Sequence, residues 1–97
     1  MGGSVPLFDG NNFSYWKSRM QAYMESISPE LWEAASVGYA MPYTLEQSKW
    51  DGKARNAIFE SLDREIYGRV KSKGKAFQFW ATLIEIHEGS TRVREQK

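Results

Sequence analysis

Apolar residues recur along the first third of the chain with the spacing of one helical face. From residue 16 to residue 27 the intervals are four, three, one and three residues, which place these side chains on one side of an α-helix. Asn12 or Ser14 can cap this helix, and its predicted end is near Ile27. The predicted inward positions are Trp16, Met20, Tyr23, Met24 and Ile27.

Two further helices are marked by their capping residues. Ser28 before Pro29 is typical of a helix start, and Gly38 provides the stop for this short second helix. Thr44 with Gln47 three residues later matches the capping box, which predicts a third helix ending near Leu62. The expected inward residues are Leu31, Trp32 and Ala35 in the second helix, and Trp50, Ala54, Ala57, Ile58 and Leu62 in the third.

The last part of the chain predicts a short helix and a long apolar one. Asp63 caps the fourth helix, and residues 71–75 form a basic turn. The fifth helix is apolar around most of its circumference, which predicts the most buried helix, ending at Gly89. Its main face carries Phe77, Trp80, Leu83, Ile84 and His87, with Phe79 and Ile86 adjoining. Ser90 or Thr91 is expected to cap a further helix. No segment alternates with period two for long enough to form a core strand, so the predicted fold is all-α: a compact bundle of five to six short helices with an extended N-terminal arm.

The arm and the first helix meet in the sequence Leu7-Phe8-Asp9-Gly10-Asn11-Asn12-Phe13-Ser14-Tyr15-Trp16. Asp9 and Gly10 are turn formers, and three large aromatic side chains lie around this turn. Burying them would dock the arm on the helices. The residues predicted to dock the arm and fill the core are Phe8, Phe13, Trp16, Met20, Trp32, Trp50 and Trp80.

Composition narrows the possible chemistry. The 97 residues contain no cysteine and one histidine, so thiolate chemistry and a conventional zinc site are not expected. His87 lies on the apolar stripe of the fifth helix, where a structural role is the expected one, and no catalytic motif accompanies it. We therefore predict no enzyme activity, no cofactor and no metal. No apolar run is long enough to span a membrane, which favours an intracellular, most simply cytoplasmic, protein.

Charge is divided unevenly along the chain. Residues 1–48 hold two basic and five acidic residues, whereas residues 49–97 hold eleven basic and seven acidic residues. Such a polar molecule is suited to head-to-tail association, or to contact between its basic half and an anionic partner. The candidates for anionic contact, including RNA, are Arg64, Arg69, Lys71, Lys73 and Lys75, although a solvated helix end explains the same residues.

The connection between the second and third helices, residues 38–43, is aromatic and apolar. A loop of this composition either packs on the core or contacts a partner. Together with the arm it predicts the rim of a groove for a partner peptide, formed by Phe8, Tyr39, Met41 and Tyr43.

The order of these motifs resembles the N-terminal capsid region of Gag polyproteins from copia-type LTR retrotransposons, especially plant ones. The resemblance rests on Leu7-Phe8-Asp9-Gly10-x-Asn12-Phe13-x-x-Trp16-Lys17-x-x-Met20, Tyr23-Met24, Leu31-Trp32-Glu33, Trp50, Ala54 to Ile58, Ala76 to Trp80, Leu83 and His87-Glu88-Gly89. The chain departs from the family at His87, where an aromatic residue is usual, and at Phe77, where a lysine is usual.

The resemblance implies a helical capsid lobe that contacts other copies of itself in a particle shell. A second implied role is a domesticated, Gag-derived adaptor that binds a host peptide beside the N-terminal arm, and RNA binding through residues 64–75 is a weaker third. Residues 1–6 are expected to be a disordered or tag-like terminus, 7–89 the lobe, and 90–97 the start of a truncated helix or a linker to a following lobe.

Overall fold

A computed structural model of the protein describes residues 4–71 and 74–95, with side chains as far as residue 89. These residues form five helices: α1 (Phe13–Ile27), α2 (Pro29–Ser36), α3 (Leu45–Ser61), α4 (Arg64–Val70) and α5 (Ala76–Glu95). Helices α1, α2, α3 and α5 pack around one core, and α4 packs against α5. The described part of the chain contains no strand longer than a single bridge, so the predicted all-α fold is confirmed.

Local capping chemistry sets most of the helix starts. The Ser28 hydroxyl accepts a hydrogen bond from the Glu30 N–H, and Pro29 opens α2. Thr44 and Gln47 form both bonds of the predicted capping box at the start of α3. The Asp63 carboxylate accepts from the Ile66 N–H and caps α4. These three predictions are confirmed.

The start of α1 differs from the prediction in its cap. The helix begins at Phe13, but Asn12 adopts a left-handed conformation with φ of 57°, and its side chain makes no capping bond. Ser14 lies inside the helix. The turn before it is held instead by the Asp9 carboxylate, which accepts a hydrogen bond from the Asn11 N–H at 3.0 Å, with Gly10 at φ of 104°.

The N-terminal arm lies against the junction between α3 and α4. The Phe8 N–H donates to the Ser61 carbonyl at 2.7 Å, and the Phe8 carbonyl accepts from the Asp63 N–H at 3.3 Å, giving an isolated parallel bridge between Phe8 and Leu62. Val5 also packs on the core, and the Pro6 carbonyl accepts from the Trp16 indole N–H. The contacts with the core therefore begin before residue 7, at Val5 and Pro6, while residues 1–3 lie outside the described part.

The predicted core is largely confirmed. Phe8, Phe13, Trp16, Met20 and Trp80 are buried, and Trp32 and Trp50 are partly buried against them. The inward face of α5 is centred on Ala76, Phe79, Trp80 and Leu83, one position away from the face predicted around Phe77 and Ile84. Ile27, predicted to point inward, is half exposed.

Helix α5 continues through Gly89 to Glu95, so the predicted stop at Gly89 and the predicted further helix are wrong. Within a helix a glycine costs only about 1 kcal/mol relative to alanine, and Gly89 does not take the positive φ that ends a helix. The continuation shows that residues 90–95 are part of α5; the side chains from residue 90 onward, and residues 96 and 97, lie outside the described part.

Gly38 is required at the end of α2 for two independent reasons. Its φ is 77°, and a Cβ added there would lie 2.5 Å from the Phe77 ring. We expect Gly38→Ala to lower the free energy of unfolding by about 2–4 kcal/mol, from the left-handed conformation and the steric overlap. Urea denaturation measures this loss.

Gly68→Ala in α4 is the matched control: no atom lies within 4 Å of its Cβ position, so helix propensity should stabilise the Gly68→Ala variant by roughly 0.5–1 kcal/mol. Equal effects of the two substitutions would contradict this account.

Candidate protein-association surface

The arm residues form an aromatic cluster with α1 and α5. The Phe8 ring stacks on Trp16 at 5.0 Å between centroids and meets Phe13 edge-on at 5.4 Å. Trp16 in turn packs against Trp80 at 5.5 Å. Pairs of this geometry contribute about 0.5–1.5 kcal/mol beyond the area they bury. The cluster holds the arm in place, and Phe8 is a buried core residue and does not expose its ring on a rim.

His87 completes this cluster from α5. Its ring stacks on Phe13 at 4.9 Å and meets Phe8 edge-on at 4.9 Å. Its Nε2 atom is buried without a hydrogen-bond partner among the described residues. Burial, and secondarily the positive charge of Arg69, lower the pKa of His87 below its usual value. The predicted structural position of His87 fits these contacts.

The lowered pKa of His87 predicts a pH-dependent stability. The unfolded chain binds a proton near pH 6.5, whereas the folded chain binds it only at lower pH. The stability that depends on neutral His87 is therefore fully present above about pH 6.5. This part of the free energy of unfolding is lost as the pH falls from there through the lowered folded-state pKa. We expect His87→Phe to reduce this slope and, by removing a buried unpaired nitrogen, to add about 1 kcal/mol at pH 7. Urea denaturation between pH 5 and pH 8 measures both effects. Parallel pH profiles for wild type and variant would contradict the assignment.

The connection between α2 and α3 holds the other predicted groove residues. The Tyr39 hydroxyl donates to the Glu30 carbonyl at 2.8 Å, and the Tyr39 N–H donates to the Tyr43 hydroxyl at 3.2 Å. The two rings meet edge-on at 5.3 Å, and Lys75 Nζ lies 4.8 Å from the centroid of the Tyr43 ring. The Met41–Pro42 peptide bond is cis. These contacts fix the tyrosines, while Met41 stays exposed to solvent.

A groove of about 360 Å³ opens between α2 and α3 beside this connection. We name it the α2–α3 groove; it is lined by Glu30, Glu33, Tyr39, Glu46, Gln47 and Trp50. Burial, followed by the nearby carboxylates of Glu33 and Glu30, raises the pKa of Tyr39 above its usual value. The groove is therefore an aromatic surface in a negative field.

The four residues predicted to line one groove lie in two places. Phe8 borders a separate, mainly apolar pocket of about 290 Å³ beside the arm, with Leu7, Asp9, Ser61, Leu62 and Asp63. Of the other three, Tyr39 lines the α2–α3 groove, and Met41 and Tyr43 belong to the connection next to it. Neither of these two pockets is lined by both Phe8 and a residue of the 39–43 connection.

The basic residues of the predicted anionic site are spread over α4 and the turn after it. Arg64, Arg69 and Lys71 are exposed, and Lys75 is half-buried over Tyr43. Lys73 lies outside the described residues. Contact of these residues with nucleic acid stays a prediction.

One residue with a clear role in the structure carries no signal in the sequence. Asp51 in α3 is buried, and its carboxylate accepts a hydrogen bond from the Ala76 N–H at 2.8 Å, at the first residue of α5. Its second oxygen pairs with Arg55 at 3.0 Å. Asp51 therefore caps a helix that begins 25 residues later in the sequence, and only the packing of α3 on α5 reveals it.

Comparisons with protein-family models, with curated proteins and with solved structures found no match to this chain. The described residues include no group of three histidine, cysteine, aspartate or glutamate side chains placed to hold a metal ion. Within the same part of the chain, no helix combines the length and apolarity needed to cross a bilayer.

Proposed function

We propose that the chain is a non-enzymatic protein-association domain that contacts further copies of itself, as a capsid-type N-terminal lobe of a Gag protein would. The observation that carries the proposal is the exposed apolar surface at the connection of α2 and α3. Val37, Met41 and Leu45 are 68%, 68% and 78% exposed, and they account for three of the eight large apolar side chains that the described residues leave exposed. Their concentration within nine residues favours a contact surface over scattered surface residues.

The all-helical fold and the docked arm are compatible with this proposal. The resemblance to copia-type Gag sequences is the basis for proposing a capsid-type assembly. A lobe of this size buries little surface in any single contact, so association of the chain alone should be weak and should strengthen when many copies meet.

A second candidate function has its own observation. The pocket beside the arm is mainly apolar and is bordered by the exposed side chain of Leu7, which would suit an apolar peptide residue. This pocket supports the role of a domesticated adaptor that binds a peptide of a host protein. Screening a peptide library for binding to the wild-type chain, and comparing the affinity of the bound peptides for the Leu7→Ser variant, tests that role.

Sedimentation velocity of the chain tests the leading proposal. From about 10 μM to about 1 mM, the range of weak protein association, we expect the mean sedimentation coefficient to rise with concentration. The double variant Met41→Ser with Leu45→Ser should remain monomeric, because it removes the apolar contact surface. Leu7→Ser with Tyr15→Ser is the matched control, since these side chains are comparably exposed elsewhere and should associate as wild type does. A wild-type chain that stays monomeric throughout contradicts the proposed function.

A further inference from the structure

The α2–α3 groove has an aromatic floor that the rest of the described chain leaves uncovered. Trp50 is half-buried from α3, and Tyr39 is held by its hydrogen bonds to the Glu30 carbonyl and the Tyr43 hydroxyl. The exposed apolar residues Met41 and Leu45 adjoin these positions in the sequence. An ordered aromatic surface with an apolar border is suited to a partner side chain that lies flat against it.

The charges around the aromatic floor of the α2–α3 groove indicate which type of partner side chain fits it. The carboxylates of Glu33 and Glu46 line the groove, and neither makes an ion pair or hydrogen bond with the described residues. Lys49, one turn along α3 from Glu46, does not line the groove, and the nearby Lys75 lies over Tyr43. A planar guanidinium stacks on aromatic rings and pairs with carboxylates at its edge, so an arginine fits better than a lysine or an apolar residue.

Helix α4, which follows the end of α3, carries such arginines. Arg64 and Arg69 of α4 are exposed and make no ion pair with the described residues. Glu46 lies in the first turn of α3, and Arg64 begins α4 three residues after α3 ends, so nearly the whole 17-residue helix, about 25 Å long, lies between them. The Arg64 side chain therefore cannot reach the groove of its own chain.

We propose that the α2–α3 groove binds the α4 arginines of a second copy of this chain. An arginine of α4, Arg64 or Arg69, lies over Tyr39 and Trp50 and pairs with Glu33 and Glu46 of the neighbouring copy. This inference rests on the proposed self-association and assigns its contact surfaces. Charge complementarity between the acidic groove and the basic α4 surface of the same chain selects a second copy as the occupant.

The contact joins two different surfaces, so a pair of copies keeps one free groove on one copy and one free α4 surface on the other. Such head-to-tail contacts continue from copy to copy and produce a ring when the rotation closes, or a filament when it does not. The acidic first half of the sequence contributes to the groove and the basic second half contributes the α4 arginines, so the contact arranges all copies in the same direction.

A charge-reversal experiment tests this assignment. In one variant the groove is reversed by Glu33→Arg with Glu46→Arg; in the other the α4 surface is reversed by Arg64→Glu with Arg69→Glu. Each variant alone presents like charges at both surfaces, so its dissociation constant should rise at least tenfold, equivalent to about 1.4 kcal/mol. In an equimolar mixture every groove again meets a surface of opposite charge, and association should return to within about threefold of wild type. Thermal denaturation by circular dichroism checks that both variants are folded.

The outcomes separate the two proposals. Restored association in the mixture, lost again at high salt, supports the assignment. If wild type associates and either variant alone associates equally well, the assignment is overturned while the proposed function stands. If the groove variant loses association while the α4 variant keeps it, the groove binds another basic segment, and this result also overturns the assignment. A wild-type chain that is monomeric at every concentration removes the proposed function and this inference together.

Discussion

Trp16→Ala is expected to be among the most destabilising single substitutions in the chain. The indole is buried between Phe8 and Trp80, and its N–H donates to the Pro6 carbonyl at 3.2 Å. Emptying a buried aromatic site costs about 3–5 kcal/mol, a large part of the 5–15 kcal/mol that stabilises an ordinary domain. We expect urea denaturation to show this loss, or an unfolded variant at room temperature.

The neighbouring Tyr15 provides the control for this substitution. Its side chain is 66% exposed, and its hydroxyl accepts a hydrogen bond from Arg19, so Tyr15→Ala should change the free energy of unfolding by no more than about 0.5 kcal/mol. Trp16→Phe keeps a ring against Phe8 and loses the bond to Pro6, so it should be intermediate. Melting of Trp16→Ala within a few degrees of wild type would show that the arm does not depend on this residue.

Asp51→Ala should have the second large effect, because it removes the cap of α5. The Ala76 N–H would be left buried without an acceptor, which costs about 1–3 kcal/mol, and the helix would lose the favourable negative charge at its start. We expect a total loss of about 2–4 kcal/mol in the free energy of unfolding. Amide hydrogen exchange should locate the effect at Ala76 and the first turn of α5.

Asp51→Asn separates the hydrogen bond from the charge. The asparagine oxygen can still accept from the Ala76 N–H, so this variant should lose only the electrostatic part, about 1 kcal/mol. Equal losses in the two variants would show that the charge, and not the capping bond, is what stabilises the start of α5.

Local chemistry explains why much of the fold could be predicted. The cap at Ser28, the capping box at Thr44 and the cap at Asp63 each involve residues within three positions of one another, so the signal is complete within a few letters of sequence. Aromatic residues at helical spacing then identified most of the core.

The predictions of helix ends were wrong where a local sequence signal competes with the surrounding structure. Gly89 can end a helix only if its backbone turns left-handed, and the hydrogen-bonded ladder of α5 holds it in helical conformation at modest cost. Asn12 is itself left-handed, which turns its side chain away from the capping position. Neither backbone conformation is encoded by the residue type alone.

The candidate site was less predictable because it combines distant residues. Glu30 and Glu33 come from α2, and Glu46 and Trp50 from α3, so their common groove depends on how these helices pack. The sequence placed Phe8 both in the core, where it docks the arm, and on the rim of a groove with Tyr39, Met41 and Tyr43. Its bridge to Leu62 and its ring contacts place the side chain inside instead.

The bridge between Phe8 and Leu62 has a consequence for how the folded chain fluctuates. Among the described residues, two backbone hydrogen bonds join the arm to residues 61–63, but lifting the arm would also uncover the rings of Phe13, Trp16 and His87. Opening the arm therefore approaches global unfolding in free energy, although chain ends usually fray at almost no cost. The Phe8 amide should then exchange with deuterium as slowly as the amides of the central helices.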